Sequence, residues 1–384
     1  MILYLLIAAV TIVLASGIRP IAYEVGTYPV SRQKQLNRVL VLFIFVILTL
    51  LAALRIEVGN DYGTYVVTCH EIFQHGYVVT EPGYNLVVRI LYTLSGKEDY
   101  ILMFAVFAAA IAAIFLKAIK DQSLSFSLSF FIFMMMGLYF NSFNTVRYYF
   151  ALGVAIYSLK YVICLTDDSG RFIWENLFKF LILILFAASF HKSVLITIPI
   201  YLFSRLKWNK IIYVIVAVCA VIPVIFRKYI MDIALRLYPS YRDTVYVENA
   251  HSIMENWTAL TGCILVFVMC LFFYKETIEG RDDNRLYFHL NIFAIIIYVS
   301  LSFLPLITRF AYYCIAPEIF LIPNVICLID DDDKKRRIKL VVIVFCVLYF
   351  LYYLYTADRE GIRVLPYKSW LFYDRYWLNQ TDTF

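Results

Sequence analysis

Residues 141–161 read NSFNTVRYYFALGVAIYSLKY, a polar and basic start followed by an apolar and aromatic run. The run after Arg147 is long enough to cross the hydrocarbon core of a bilayer, which takes about 20 predominantly apolar residues. Small polar residues precede it, and the guanidinium of Arg147 cannot be neutralised at any ordinary pH. The stretch therefore predicts a membrane-spanning helix with a fixed positive charge at its entrance.

The composition of the whole chain agrees with a membrane protein. Hydrophobic residues make up 62% of it and charged residues 16%, whereas soluble domains are about half apolar and about one quarter charged. The apolar residues form blocks of bilayer-spanning length, not the alternating strands of an outer-membrane barrel. The eight cysteines include no C-x-x-C pair, so neither a disulfide framework nor a zinc site is indicated. We expect an all-α polytopic membrane protein without metal or cofactor.

We predict about twelve transmembrane helices in a single integral membrane domain, residues 1–384. Basic residues follow the first apolar run and none precedes it, so the N-terminus is placed outside. Residues 55–99 and 227–256 then form outer loops, and 357–384 form an outer C-terminal tail. The predicted spans are 2–16, 38–54, 100–117, 124–143, 146–165, 177–190, 193–204, 210–226, 257–274, 286–304, 309–328 and 340–356.

The first outer loop contains an apolar piece, Tyr84–Ser95, that is too short to span a bilayer comfortably. Its apolar residues share one helical face, with Asn85 and Arg89 off that face. They are Leu86, Val87, Ile90, Leu91 and Leu94. The pattern predicts an interfacial or re-entrant helix on the outer side.

Three predicted helices enter the membrane from the outer face with a basic residue near their start: Arg147, Lys192 and Arg309. Helix N-termini carry unpaired N–H donors and a partial positive charge, so a cation is unfavourable there unless an anion binds as well. For any one of the three, the alternative is an ordinary side chain that reaches to the interface. The three together indicate an anion site at the outer boundary. The predicted N-caps of these helices are Asn144, Ser193 and Thr308.

Other titratable and aromatic residues lie near the same boundary. Arg55 follows the second span, where a cation is also stabilised by the helix dipole, so a structural role is equally open. The candidates for a general base are Glu57, Asp61, Glu81 and His191. Tyr238, Tyr241 and Tyr246 form either an interfacial belt or a stacking surface for sugars. No D-x-D pair occurs in an outer segment, so nothing suggests a metal-held nucleotide sugar.

Several stretches together resemble the EpsG-like branch of the Wzy polymerases of bacterial surface polysaccharides. The stretches are RIEVGNDYGTY (55–65), EPGYNLVVRIL (81–91), FNTVRYYFALGVAIYSLKYV (143–162), ASFHKSVLITIPIY (188–201), ITRFAYY (307–313) and LPYKSWLF (365–372). The resemblance extends over about residues 40–372. It departs at Tyr148, where the family often has Gln after the arginine, and it is poor between 205 and 300.

The resemblance implies a GT-C-like glycosyltransferase of the bacterial inner membrane whose active site faces the periplasm or cell exterior. Such an enzyme moves a growing glycan from undecaprenyl diphosphate to the non-reducing end of a new lipid-linked repeat unit, without a metal. Its partners would be the undecaprenyl-diphosphate-linked oligosaccharide as donor and acceptor, membrane lipid and a chain-length regulator protein. A flippase for lipid-linked oligosaccharides and an O-antigen ligase remain open as alternatives.

In this reading the basic residues hold the donor diphosphate and one acidic or histidine side chain receives the acceptor proton. The diphosphate ligands would be Arg147 and Arg309, together with Arg55 and Lys192. The base would be one of Asp61, Glu57, Glu81 and His191, with His191 favoured. Tyr238, Tyr241 and Tyr246 would contact sugar.

Overall fold

The computed structural model describes residues 1–19, 29–167, 169–237, 257–304, 307–359 and 362–372. Apart from two isolated β-bridges, all regular structure in these ranges is helical, which confirms the all-α prediction. The chain forms two compact units, and each is described by itself. The first contains Met1–Tyr157, Phe186–Lys192 and Asp333–Phe384, and the second contains Ser158–Leu185 and Ser193–Asp332. A single membrane domain over the whole chain stays a prediction.

The helices that lie mainly in the first unit are α1 Ile2–Ser16, α2 Pro29–Ala53, α3 Tyr62–His75, α4 Pro82–Ser95, α5 Tyr100–Gln122, α6 Phe126–Met135, α7 Leu138–Asn141, α8 Val146–Ile163 and α18 Asp332–Thr356. Those that lie mainly in the second unit are α9 Trp174–Ala188, a 3₁₀ turn Lys192–Ile196, α10 Thr197–Arg205, α11 Lys210–Ile225, α12 Arg227–Leu237, α13 Trp257–Phe272, α14 Tyr274–Thr277, α15 Asp282–Ser300, α16 Ile307–Ile315 and α17 Glu318–Leu328.

Four helical segments of the described chain are long and apolar enough to cross a membrane. They are Arg32–Ala53, Tyr100–Gln122, Ile307–Leu328 and Asp332–Thr356. A fifth results if α11 and α12, which meet at a bend of 76°, form one broken span. The predicted number of about twelve is therefore not confirmed, because other apolar helices are short or interrupted. The predicted span 124–143, for example, breaks at Gly137, whose φ is +71°.

Helix α18 shows how a spanning helix distributes its apolar residues. Leu340, Val344 and Leu348 are exposed, whereas Cys346 and Phe350 are buried. Apolar side chains turned away from the protein are unfavourable in water but favourable against lipid tails. The helix therefore has the surface of a lipid-facing span.

The C-terminal segment packs against the chain that leaves α2. The backbone N–H of Ile56 donates to the carbonyl of Lys368 at 3.0 Å, and the N–H of Trp370 donates to the carbonyl of Leu54 at 3.2 Å. The N–H of Gly59 donates to the carbonyl of Arg363 at 2.8 Å. These bonds place the start of the first predicted outer loop and the predicted outer tail at the same end of the first unit.

Residues 55–99, predicted as an outer loop, contain two helices of 14 residues each, α3 and α4. Helix α4 matches the helix predicted from the apolar piece Tyr84–Ser95, but its buried face differs. Asn85, predicted off the packing face, is buried, and its side chain bonds both the N–H and the carbonyl of Val78 at 3.0 Å. Leu86 and Leu94, predicted on the apolar face, are exposed. The amide is inside because it satisfies the backbone of the preceding turn.

Candidate functional site

Arg147 lies in the first turn of α8 and is held by the turn that leads into α4. Its Nη1 donates to the Oε2 of Glu81 at 2.6 Å and also to the hydroxyl of Thr80. About a quarter of the Arg147 side chain is exposed, and the Glu81 side chain is 17% exposed. A charge-assisted hydrogen bond in so sheltered a place is stronger than one at an open surface.

Two tyrosines complete the surroundings of the guanidinium. The Cζ atom of Arg147 lies 5.2 Å from the ring centre of Tyr84 and 5.6 Å from that of Tyr65. The hydroxyl of Tyr65 also accepts the backbone N–H of Arg147 at 3.2 Å. The Nε atom of Arg147 is buried and has no hydrogen-bond partner among the described residues. The guanidinium of Arg147 is thus held in position while its Nε donor is not used.

A close backbone contact explains why Glu81 reaches this place. Gly83, in the first turn of α4, donates its N–H to the carbonyl of Ser189 at 2.7 Å. A Cβ atom on Gly83 would lie 2.8 Å from the backbone carbonyl oxygen of Ser189, closer than Cβ contacts in real structures. Pro82 occupies the first helical position, where its missing N–H costs nothing. The turn therefore presses against the end of α9.

His191 follows that end of α9. Its backbone N–H donates to the carbonyl of Ala187 at 3.0 Å, and its ring meets that of Tyr148 edge-on with centres 5.3 Å apart. Burial of the Glu81 carboxyl tends to raise its pKa, but the charge of Arg147, hydrogen bonds and a smaller effect of His191 together hold that pKa below its ordinary value. Glu81 is therefore ionised at neutral pH.

Asp61 and Asn144 belong to a neighbouring contact of the same unit. Asn144, predicted as an N-cap of α8, instead accepts the backbone N–H of Asn60 with its Oδ1 at 2.6 Å. Gly59 has a φ of +99°, and a Cβ there would lie 2.4 Å from the carbonyl oxygen of Phe143. Asp61 stands at the start of α3, and its charge acts on Tyr65. The loop before α3 is thus fitted to the chain that enters α8.

Arg55, proposed from the sequence as a diphosphate ligand, is 3% exposed. It donates to the carbonyl of Ala52 and to that of Phe143 at 3.5 Å, and its Cζ lies 4.6 Å from the ring centre of Phe104. No carboxylate pairs with it in the described ranges. This geometry favours the structural alternative, in which Arg55 ties the end of α2 to the chain before α8.

The remaining predicted residues are taken in turn. Glu57, a candidate base, pairs with Lys368 at 2.6 Å and is more than half exposed. Lys192 begins the 3₁₀ turn after His191, so neither it nor Ser193 starts an α-helix as predicted. Arg309 lies in the first turn of α16 in the second unit, so its proximity to Arg147 stays a prediction. Tyr238, Tyr241 and Tyr246 lie outside the described residues.

The sequence led us to propose Arg147, Glu81 and His191 but not the residues that hold them. Thr80, Tyr65 and Tyr84 were not singled out, although Tyr65 and Tyr84 lie within the stretches RIEVGNDYGTY and EPGYNLVVRIL and Thr80 directly precedes the second. Their role depends on contacts that bridge between 60 and 85 residues of chain, which no local pattern reveals. The adjacent hydroxyl and carboxylate of Thr80-Glu81 offer two hydrogen-bond acceptors to an arginine, and this pair was the sequence pattern that could have indicated the contact.

The arrangement is a sheltered guanidinium with a resident carboxylate and a nearby imidazole, all at one end of the first unit. No curated protein and no solved structure matches the chain. The model of the EpsG family matches residues 38–369, nearly the whole sequence. The chain therefore belongs to the EpsG family.

Proposed function

We propose that the protein is a polymerase of bacterial surface polysaccharide that joins lipid-linked oligosaccharide repeat units at the outer face of the inner membrane. Membership of the EpsG family suggests a polysaccharide polymerase at the level of the family. The donor would be a glycan on undecaprenyl diphosphate, and the acceptor would be the non-reducing end of a new lipid-linked repeat. The observation that carries this proposal is the sheltered, anion-holding Arg147 beside Glu81 and His191.

The leaving group of this reaction is a lipid diphosphate, which gains negative charge as the bond to the sugar breaks. A fixed guanidinium in a poorly hydrated place stabilises such charge because it needs no reorientation during the step. Arg147 has this character: its side chain is largely buried, packed against two rings, and already bound to a carboxylate. We assign it to the diphosphate. Arg309 and Lys192 remain proposed second ligands.

The acceptor hydroxyl must lose a proton as it attacks the anomeric carbon. Two of the predicted bases are the better candidates: Glu81 is bound to Arg147 directly, and His191 is near enough to Glu81 to act on its charge. Glu57 is paired with Lys368 and is a poorer candidate. Binding both substrates at one place adds the large effect of proximity.

The proposal is tested in cells that depend on the protein for their surface polysaccharide. With Arg147→Ala we expect long polymer to vanish on a gel while single repeats persist, because losing a charged transition-state contact costs about 10²–10³ in rate. Arg147→Lys should restore little if both nitrogens of the fork are used.

The matched control is Arg89→Ala, which removes an exposed arginine of α4. It should leave the polymer unchanged. Normal polymer in a well-expressed Arg147→Ala variant would overturn the assignment. Finished polymer retained on its lipid would instead identify a ligase, and repeats that fail to reach the outer face would identify a flippase.

A further inference from the structure

The guanidinium assigned to the diphosphate already holds an anion of the protein itself. The Oε2 atom of Glu81 receives a hydrogen bond from Arg147 at 2.6 Å and another from the Thr80 hydroxyl at 2.9 Å. A phosphate oxygen would seek these same two donors. Glu81 and a bound diphosphate therefore compete for one place.

We propose that the Arg147–Glu81 pair exchanges partners during the reaction: the donor diphosphate replaces Glu81 on Arg147, and the released Glu81 carboxylate takes the proton of the acceptor hydroxyl. This inference rests on the proposed function. It adds to it the identity of the base and a link between donor binding and base activation.

The attachment of Glu81 is of a kind that a phosphate can displace. Glu81 precedes α4 with extended backbone, and its side chain caps no N–H of that helix. In the part of the chain that the structure describes, its carboxylate is bound by Arg147 and Thr80. A diphosphate carries more charge than a carboxylate and offers more acceptor oxygens, so it is the stronger partner for the fork of an arginine.

Arg147 also has a hydrogen-bond donor that Glu81 does not use. The buried Nε of Arg147 lacks a partner, and a buried donor without a partner is costly. Nη1 and Nε lie on different edges of the guanidinium, and the two phosphate groups of a diphosphate offer enough oxygens to accept from both edges, which one carboxylate oxygen does not do here. Completion of this hydrogen bonding favours the exchange.

The exchange frees the Glu81 carboxylate to act as the base in the transfer of the glycan. As the acceptor oxygen forms its bond to the anomeric carbon, its proton passes to Glu81, and the bond from that carbon to the diphosphate oxygen breaks. The electron pair stays on the diphosphate beside Arg147. A carboxylate next to a bound diphosphate binds a proton more readily than one paired with arginine, so Glu81 becomes a better base only when the donor is present.

The test compares binding and turnover in the purified full-length protein in nanodiscs. Undecaprenyl diphosphate is the binding probe, and one defined lipid-linked repeat is the substrate for polymerisation. With Glu81→Gln we expect binding to tighten about tenfold, since the competing charge is gone, while polymerisation slows about 10²–10⁴-fold through loss of the base. Glu81→Asp should also bind more tightly but keep part of the rate, because its shorter carboxylate still accepts a proton.

Glu98→Gln is the matched control, because Glu98 forms an ion pair with His70 in the same unit. It should change neither quantity. Unchanged or weaker binding in folded Glu81→Gln and Glu81→Asp would refute the exchange, and a full polymerisation rate in Glu81→Gln would refute the base. In either case weakened binding by Arg147→Ala would leave the proposed function standing. If Arg147→Ala and Glu81→Gln both kept the binding and the polymerisation rate of the wild type, the exchange and the proposed function would both be overturned.

Discussion

Arg147 and Arg55 carry the same guanidinium group in two environments that differ in solvent access and in hydrogen-bond partners. Arg55 is almost fully buried and donates to the backbone carbonyls of Ala52 and Phe143, so it links the end of α2 to the chain before α8. Arg147 keeps about a quarter of its side chain exposed and binds a carboxylate that a substrate can replace. A partly accessible arginine with an exchangeable anion is equipped for binding, whereas a fully enclosed one is equipped for stability.

The ion pair of Arg147 and Glu81 predicts a pH-dependent contribution to stability. The pKa of Glu81 is lowered in the folded protein, so this contribution is present above the ordinary carboxyl pKa of about 4.3 and is lost as the pH falls through the lowered value. The groups facing Glu81 are Arg147, Thr80 and His191. At pH 7 we expect Glu81→Gln to lower the free energy of unfolding by about 1–3 kcal/mol.

This difference should shrink below about pH 4, where the native carboxylate also takes up a proton. Thermal unfolding of both proteins in detergent between pH 7 and pH 3 measures it. Glu98→Gln serves as the comparison for a carboxylate of the same unit. A difference between wild type and Glu81→Gln that stays constant over this range would show that the charge of Glu81 adds nothing to stability.

The turn that starts α4 acts as a unit because Gly83 lets two backbones touch. The glycine approaches Ser189 so closely that a Cβ atom at position 83 would meet the Ser189 backbone carbonyl oxygen at 2.8 Å, so this contact has to open for any other residue. Glu81 and His191 belong to the two segments joined in this way. The close approach of the segments that carry these two candidate bases therefore depends on one small residue.

Gly83→Ala should consequently reduce polymerisation and stability together. Forcing an added methyl into a close contact costs about 1–3 kcal/mol, and the displaced turn would carry Glu81 from its place beside Arg147. Gly63→Ala is the matched control, since a Cβ there meets nothing within 4 Å. Unfolding temperature and ladder formation with one lipid-linked repeat are the two measurements. Equal results for the two alanine variants would show that the contact does not position Glu81.

At the level of elements, the sequence predicted the helical class and the presence of helix α4 well and the helix ends less well. Composition and apolar runs report burial in lipid or protein, and these determine that a segment is helical. They do not report which groups accept hydrogen bonds from the free backbone N–H groups at the start of a helix. Asn144 was predicted to cap α8 but is engaged by Asn60, a residue 84 positions away. Helix α3 was missed because its many polar residues hide its pattern.

At the level of the whole molecule, the predicted orientation requires that several segments face the same side of the membrane. In the first unit, the end of α2, the start of α8 and the C-terminal segment meet in hydrogen-bonded contact. In the second unit, Arg205 bonds the carbonyl of Val162 at 2.8 Å and the hydroxyl of Thr166, so the ends of the predicted spans 146–165 and 193–204, both placed inside, also meet. The sequence predicted which loops share a side, but pairs such as Arg147 with Glu81 depend on the folded chain.

Labelling with a membrane-impermeant maleimide tests this orientation across both units. In intact cells Lys97→Cys, Phe372→Cys and Ser302→Cys should react above the level of the parent with its native cysteines, because positions 97 and 372 are placed outside and position 302 is at the outer end of the predicted span 286–304. Lys334→Cys should react only after the cells are permeabilised, since the basic segment of α18 is placed inside. Ser302 shortly precedes Arg309, and Lys97 lies in the same outer segment as Glu81. Labelling of positions 97 and 302 from opposite sides would separate Arg147 from Arg309 and exclude one shared diphosphate site. Labelling from the same side is required if both arginines hold one lipid headgroup, whose two phosphates lie at a single face of the bilayer.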